Sequence, residues 1–221
     1  MSDYNIKFGN FHLWYNDPHD IAAIIETYVL NVYRIQKIKK KSIVIDVGAG
    51  IGEFAVLASS IVGKEGKVVA IEPSPEDFKT LQYNIRENKC SNVIPINSAV
   101  SNKKENLSLT FKGKNFKSEA DTLHNIIQKL NVPVNSIHYM KMDIEGAERL
   151  VIPSSIDIIR NIDYIAIEIH DSFSSELIPY MINQGFWFKR IEGNEYILNT
   201  IKKAVLHPVG VYRLWKAFIS K

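Results

Sequence analysis

The chain has 221 residues, 46% of them hydrophobic and 23% charged, enough for one ordinary domain that buries a core without disulfide staples. Its single cysteine, Cys90, excludes an internal disulfide framework and a cysteine-based zinc cluster, and no apolar stretch is long enough for a spanning helix. The net charge of +3 permits an anionic partner without demanding one. The first residues lack the charged-then-apolar build of a secretory signal, so a cytoplasmic location is expected.

In chain order, Ile6–Tyr15 mixes aromatic and polar residues around Gly9-Asn10 and predicts an extended segment or hairpin. Asp17-Pro18 opens a helix, with a good cap followed by a proline suited to the first turn. Ile21, Ile24, Ile25, Tyr28, Val32 and Ile35 continue the helical spacing, and Lys37–Lys41 closes it where positive charge is favoured. The period then changes. Ser42–Val47 is nearly all apolar, as in a strand buried on both faces. A glycine loop and a helical run to about Val62 follow, then a strand at Val68–Glu72 and a helix opened by Ser74-Pro75. Val93–Ile96 predicts a third strand, Asn106–Phe111 a strand with one wet face, and Ala120–Leu130 a helix. Ile137–Met142 and Tyr164–Ile169 read as strands around a short helix at Ser155–Arg160. Glu176–Asn183 reads as a helix, followed by strands at Phe186–Ile191 and Glu195–Asn199 joined by a hairpin-length turn.

Strands alternating with helical runs imply crossover connections and a mostly parallel sheet. The expected fold is α/β: a doubly wound, Rossmann-like sheet with helices on both faces and an antiparallel C-terminal edge. Residues 1–41 are expected as an N-terminal segment and helix that cap the substrate, 42–200 as the main domain, and 201–221 as a tail of helical character. In that tail Leu214, Trp215, Phe218 and Ile219 make an amphipathic end that suits docking on the body, a second subunit or a membrane surface.

Open sheets of this kind bind ligands beyond the C-terminal ends of their strands. The loop there is Asp46-Val-Gly48-Ala49-Gly50-Ile-Gly52-Glu53. A dinucleotide-binding turn would place a third glycine where this chain has Glu53, and a carboxylate at the helix N-terminus would repel a pyrophosphate. S-adenosylmethionine carries a sulfonium and an amino group, which Asp46 and Glu53 suit. Glu72, ending the second strand, offers two acceptor oxygens to ribose hydroxyls, and Asn97, Ser98 and Ala99 are placed to border an adenine.

These residues resemble a known family. Ser42–Phe54 looks like the first motif of class I S-adenosylmethionine-dependent methyltransferases, and Lys141-Met-Asp143-Ile-Glu145-Gly-Ala-Glu148 is similar to the signature of the FkbM-type methyltransferases. Asp121-Thr-Leu123 and Glu168-Ile-His170 also sit where that family places such residues. The resemblance runs from about Tyr33 to Phe188. It implies the class I methyltransferase fold and methyl transfer, usually to oxygen, on sugars, polyketides and other small molecules. Gly50 stands where many members carry Asn.

For the reaction itself, Asp143 reads as an acceptor-orienting group or general base, or alternatively as a cap on the following turn. Glu145 is a candidate for contacting the acceptor or the cofactor amine, and Glu148 for a surface ion pair. His170 is a candidate base or a hydrogen-bonded structural residue. Asp143, Glu168 and His170 together offer a mixed ligand set for a divalent metal, an imperfect one, and no metal site is assigned. His12, Trp14, Tyr15 and His19 either close over the acceptor or pack against the body. Cys90 has no neighbouring base and reads as inert.

The acceptor expected first is a sugar, glycan or other small molecule with a hydroxyl or carboxylate. The rival is RNA, motivated by Lys37–Lys41, by Lys112, Lys114 and Lys117 beside Phe111 and Phe116, and by Lys189-Arg190. No DNA partner is expected, because the motif of amino-group methyltransferases and a Pro-Cys nucleophile setting are both missing. A third reading is a non-catalytic, cofactor-binding partner subunit.

Overall fold

The computed structural model describes residues 4–169, 171–191 and 215–220. In chain order the strands are β1 (Asn5–Phe8), β2 (Phe11–Trp14), β3 (Ile43–Val47), β4 (Lys67–Ile71), β5 (Val93–Ile96), β6 (Ala99–Val100), β7 (Glu105–Phe111), β8 (Lys114–Asp121), β9 (Ile137–Met142), β10 (Tyr164–Ile169), β11 (Trp187–Ile191) and β12 (Trp215–Ser220). The helices are α1 (Pro18–Tyr28), α2 (Glu53–Val62), α3 (Pro75–Glu87), α4 (Leu123–Lys129), α5 (Glu148–Ser154), α6 (Ile156–Ile159) and α7 (Asp171–Asn183).

The main sheet has the order β11-β12-β10-β9-β3-β4-β5. Strands β10, β9, β3, β4 and β5 run parallel, and β12 lies antiparallel between β10 and β11. Strand alternation divides the core into two layers. Ile45, Val47, Val69, Ile71, Met140 and Met142 pack under α4, α5, α6 and α7. Val44, Val68, Ala70, Tyr139 and Ala166 face α1, α2 and α3. That second face also takes the interleaved Asp46 of β3, Lys141 of β9 and Glu168 of β10, all buried. No described helix is long and apolar enough to cross a membrane.

Three expectations are corrected. The tail segment Trp215–Ser220 is a strand rather than a helix. It bonds β10 on one side and β11 on the other, and a helix would leave both rows of backbone groups without partners. The expected strand Glu195–Asn199 lies outside the described residues; the partner of β11 is β12. Helix α1 stops at Tyr28 rather than running on to Ile35, because Asn31 and Arg34 take left-handed conformations (φ 48° and 49°) and the Asn31 side chain caps Ile35 N–H. Lys114–Asp121, unread as a strand, pairs with β7 through a two-residue turn at Lys112-Gly113, both of positive φ, so α4 starts at Leu123 behind its Thr122 cap.

The N-terminal hairpin β1–β2 docks on α3 by an unusual route. Asn84 and Asn88, one helical turn apart, each bond a strand residue at both its N–H and its C=O. Asn84 serves Trp14 (2.8 and 2.9 Å) and Asn88 serves His12 (2.9 and 2.7 Å). The i, i+4 spacing of the helix thus matches the i, i+2 spacing of the strand, and two amides stand in for a neighbouring strand. His12 and Trp14 belong to this docked segment.

Candidate active site

The glycine loop links β3 to α2 at the C-terminal edge of the sheet. Gly48 and Ala49 N–H groups both donate to the Ile71 carbonyl at 2.9 Å, tying the loop to the end of β4. The glycines serve different ends. A Cβ on Gly48 (φ 79°) would lie 1.8 Å from the Asp143 carbonyl oxygen, and one on Gly52 (φ 88°) would lie 2.3 Å from Leu81 Cδ1. Both are glycine so that protein can pack against protein. At Gly50 the nearest atom to a Cβ would be Glu53 Oε2 at 3.8 Å, so this glycine alone leaves space beside the loop.

Asp46 is fully buried. Lys141 Nζ stands 3.3 Å from its Oδ1, an ion pair without hydrogen-bond geometry, and the same ammonium donates to the Gly48 carbonyl at 2.5 Å. Both Asp46 oxygens therefore keep hydrogen-bonding capacity. The two residues are lateral partners on β3 and β9. Burial pushes the Asp46 carboxyl up to about 6 against the pull of Lys141, and pushes Glu53, first residue of α2, up to about 7. Lys141 itself stays charged: burial works against its ammonium, but Asp46 and the neighbouring acids hold its pKa well above the ordinary lysine value.

Glu72 is 4% exposed at the end of β4. Its Oε2 accepts the Gly50 N–H at 2.8 Å and its Oε1 the Ser74 N–H at 2.7 Å. Burial outweighs these bonds and pushes the carboxyl up to about 8. Each oxygen keeps a second lone pair for a hydroxyl donor. Of the three residues expected beside an adenine, Asn97 is exposed at the rim, donating to the carbonyls of Glu72 (2.8 Å) and Pro73 (3.3 Å). Ser98 and Ala99 are buried; Ser98 Oγ donates to the Ala99 and Glu119 carbonyls, and Ala99 pairs with Ala120 of β8.

The signature residues form strand end, turn and helix start. Asp143 N–H donates to the Val47 carbonyl at 3.0 Å, which sets this half-buried residue beside the glycine loop. Glu145 is exposed in a left-handed turn (φ 54°). Glu148 is not on the surface: it is 1% exposed and its Oε1 accepts the Ile144 N–H at 3.0 Å, which fastens the turn. Asp121, ahead of the signature, accepts from Thr122 N, Asn125 Nδ2 and Lys129 Nζ, a cap for α4. His170 lies outside the described residues. Among the described residues no group of three His, Cys, Asp or Glu side chains is placed to hold a metal. Cys90 is buried, and burial raises its thiol, in keeping with an inert residue.

Sequence reasoning gave Lys141 no role. The available signal was its place two residues before Asp143 on a strand that lies beside β3, which sets it level with Asp46. Several cations read as an RNA surface also have other partners. Lys112 is 14% exposed within a cluster of aspartates, Lys114 pairs with Glu76 at 2.5 Å, Lys41 with Glu65 at 3.0 Å, and Lys37 stacks over Tyr164.

Solved structures with this fold are methyltransferases. The precorrin-6y C5,15-methyltransferase of Geobacter metallireducens is 10% identical, with a TM-score of 0.55 over 91% of this chain and 88% of that one. An rRNA methylase of Streptococcus thermophilus is 13% identical, with a TM-score of 0.53 over 94% and 97%. Fibrillarin of Aeropyrum pernix, solved with natively bound S-adenosyl-L-methionine, is 14% identical, with a TM-score of 0.51 over 83% and 68%. At these identities the likeness is one of fold, that of the class I S-adenosylmethionine-dependent methyltransferases. Comparison with curated proteins gives no match. The sequence profile described as the methyltransferase FkbM domain matches residues 46–188, most of the chain, and the protein belongs to that family. It is a methyltransferase that uses S-adenosylmethionine.

Proposed function

We propose that the protein methylates an oxygen, a hydroxyl or carboxylate, on a sugar or other small molecule. The observation that carries this reading is the set of acids around the glycine loop: Asp46 pairs with the buried ammonium of Lys141 at 3.3 Å, and Glu53, Glu72 and Asp143 lie near enough to interact with its charge. A crevice rich in carboxyl groups suits a cationic cofactor, favours a hydroxyl over a carboxylate as the acceptor, and repels a polyphosphate chain. Among the cations that an RNA surface would use, Lys112 is engaged in a buried ion cluster and Lys114 in an exposed pair with Glu76.

The residues fit the cofactor. Gly50 leaves the space a Cβ would fill, Glu72 has lone pairs for two ribose hydroxyls, and Asn97 stands at the rim where the adenine would lie. Ser98 and Ala99 act there through the backbone beneath it. Asp46 and Glu53 stand behind the loop, where the cationic methionyl end would favour their ionised form. The cofactor supplies an electrophilic methyl group on a sulfonium, already a good leaving group. Asp143 then has two tasks: it orients the acceptor hydroxyl in line with that methyl, and it accepts the hydroxyl proton. Glu145, exposed beside it, contacts the acceptor, and His170, which follows β10 in sequence, is the second candidate base.

The test is transfer of radiolabelled methyl from S-adenosylmethionine to parallel pools of oligosaccharides, small hydroxylated metabolites and RNA, at low and high salt. Label in ethers or base-labile esters of the small acceptors would support the proposal. Label in RNA alone, falling steeply with salt, would overturn it in favour of the RNA reading.

A further inference from the structure

The turn between β7 and β8 carries an ion cluster that the reaction as described does not use. Lys112 Nζ contacts Asp20 Oδ1, lies 3.3 and 3.2 Å from the two oxygens of Asp77, and 3.6 Å from Asp17 Oδ2. The side chains of Lys112, Asp20 and Asp77 are 14%, 4% and 3% exposed. Asp17 is the N-cap of α1, and Asp20 accepts the N–H groups of Asn16 and Asp17 at 2.7 and 3.2 Å. Asp77 sits in the first turn of α3 and accepts from Asn16 Nδ2 at 3.0 Å; Thr80 Oγ1 donates to Asn16 Oδ1. One ammonium thus joins three segments far apart in sequence. Lys114 and Glu76 make an exposed second contact between the same hairpin and α3.

The cluster adjoins the cofactor side of the crevice. Asp77 follows the Glu72–Ser74 turn, whose Ser74 N–H holds Glu72 Oε1 and whose Ser74 Oγ accepts the Asp77 N–H at 3.3 Å. The charge of Asp77 acts on Glu72, and that of Asp20 on Glu53, in each case disfavouring the ionised form. Three aspartates against one lysine leave the cluster net negative, and Lys112 offsets part of the charge that Asp20 and Asp77 direct at Glu53 and Glu72, beside the pull of Lys141 on both.

We propose that Lys112 is a positioning residue for cofactor binding, which clasps the β7–β8 hairpin across the first turns of α1 and α3 and so holds in place Glu72, through Asp77 and the Ser74 turn, and Glu53, whose carbonyl accepts the Tyr28 hydroxyl of α1 at 3.1 Å. This inference rests on the reading of those two glutamates as cofactor partners. Without Lys112, Asp20 and Asp77 have no counter-charge beside them: their mutual repulsion loosens the clasp, and what charge they keep falls unopposed on Glu53 and Glu72. The facing groups are Asp17, Asp20 and Asn16 from the N-terminal segment, with the exposed His19 ring on Asp17 at 3.3 Å, Glu76, Asp77 and Thr80 from α3, and Lys114 from the hairpin. None of them supplies a second buried cation.

The experiment is calorimetry of S-adenosylmethionine and S-adenosylhomocysteine binding to the full chain across neutral and mildly alkaline pH. Lys112→Met is expected to weaken S-adenosylmethionine binding by about tenfold or more at neutral pH. It is also expected to move the pH midpoint of binding upward, by about one pH unit for each tenfold of weakening. Lys114→Met, in the same hairpin, is expected to match the wild type. Asp77→Asn keeps the Asn16 contact and removes one charge, so it moves the midpoint downward; it carries the test if Lys112→Met fails to fold. Wild-type binding left unchanged by Lys112→Met, or an Asp77→Asn profile that coincides with the wild type, would overturn the inference alone. Failure of the wild type to bind either compound would overturn the reading of the site and this inference with it.

Discussion

On the β4 side of the crevice Glu72 is 4% exposed and both its oxygens take backbone N–H groups, while on the β9 side Asp143 is half-buried and Glu145 is exposed. Glu53 and Asp46 belong with the first side, each buried and each with a carboxyl that burial pushes up. The first side is built into the core, so changing it moves folding and cofactor binding together. The second side is anchored through Asp143 N–H to the Val47 carbonyl and Ile144 N–H to the Glu148 carboxylate, and leaves Asp143 half-buried and Glu145 exposed. Substitutions there separate chemistry from stability.

That contrast breaks most readily at Lys141. Lys141→Met strands Asp46 in the core and removes the donor to Gly48, and a buried pair broken on one side costs about 3–5 kcal/mol. Urea unfolding is expected to show this loss as a lower midpoint with the slope unchanged. Asp143→Asn is the counterpart on the other side: a drop in turnover of about 10²–10⁴, the usual worth of a general base, with the melting temperature and S-adenosylhomocysteine affinity close to wild type. Single-turnover assays with the acceptor that the labelling experiment identifies would read it out.

The glycines sharpen the comparison. Gly48→Ala drives a methyl group into the Asp143 carbonyl and is expected to cost about 1–3 kcal/mol of stability as well as binding. Gly50→Ala meets no protein atom nearer than Glu53 Oε2 at 3.8 Å and bears only the strain of a left-handed alanine (φ 54°), about 1–2 kcal/mol, so thermal denaturation is expected to change less than in Gly48→Ala, and equal losses at both positions would contradict the division.

A further contrast is in the pH dependence of the free protein. Asp46, Glu53 and Glu72 hold protons in the folded chain up to about 6, 7 and 8, where the unfolded chain releases them near the ordinary carboxylate values. The folded state therefore binds more protons than the unfolded between those limits, and its stability falls as pH rises through them. Lys141 remains charged across this window. Thermal melts of the free protein are expected to decline from about pH 5 to about pH 8. S-adenosylmethionine, which favours the ionised carboxylates, is expected to raise the melting temperature more at the alkaline end.

Much of this arrangement is legible in the sequence. The run Ile43–Val47, the glycine loop, Glu72 and the signature lie at strand ends, and apolar periodicity locates strand ends well. What stays hidden depends on which strands are neighbours. Lys141 meets Asp46 only because β9 lies beside β3 in a particular register. Trp215–Ser220 carries apolar residues at both helical and strand spacing, and the gap between β10 and β11 decides for the strand. Lys112 beside Phe111 looks like a basic, aromatic surface until α1 and α3 bring three aspartates to it. Glu148 looks like a surface charge until the turn at Glu145 and Gly146 folds the Ile144 N–H over it.

The most direct test of the two-sided crevice is calorimetry of S-adenosylhomocysteine on Glu72→Gln and Asp143→Asn side by side with the wild type. Glu72→Gln is expected to lose about tenfold or more in affinity, the worth of charged hydrogen bonds to two hydroxyls, while Asp143→Asn binds within about threefold of the wild type. Equal losses in the two variants, or a loss confined to Asp143→Asn, would contradict the two-sided division.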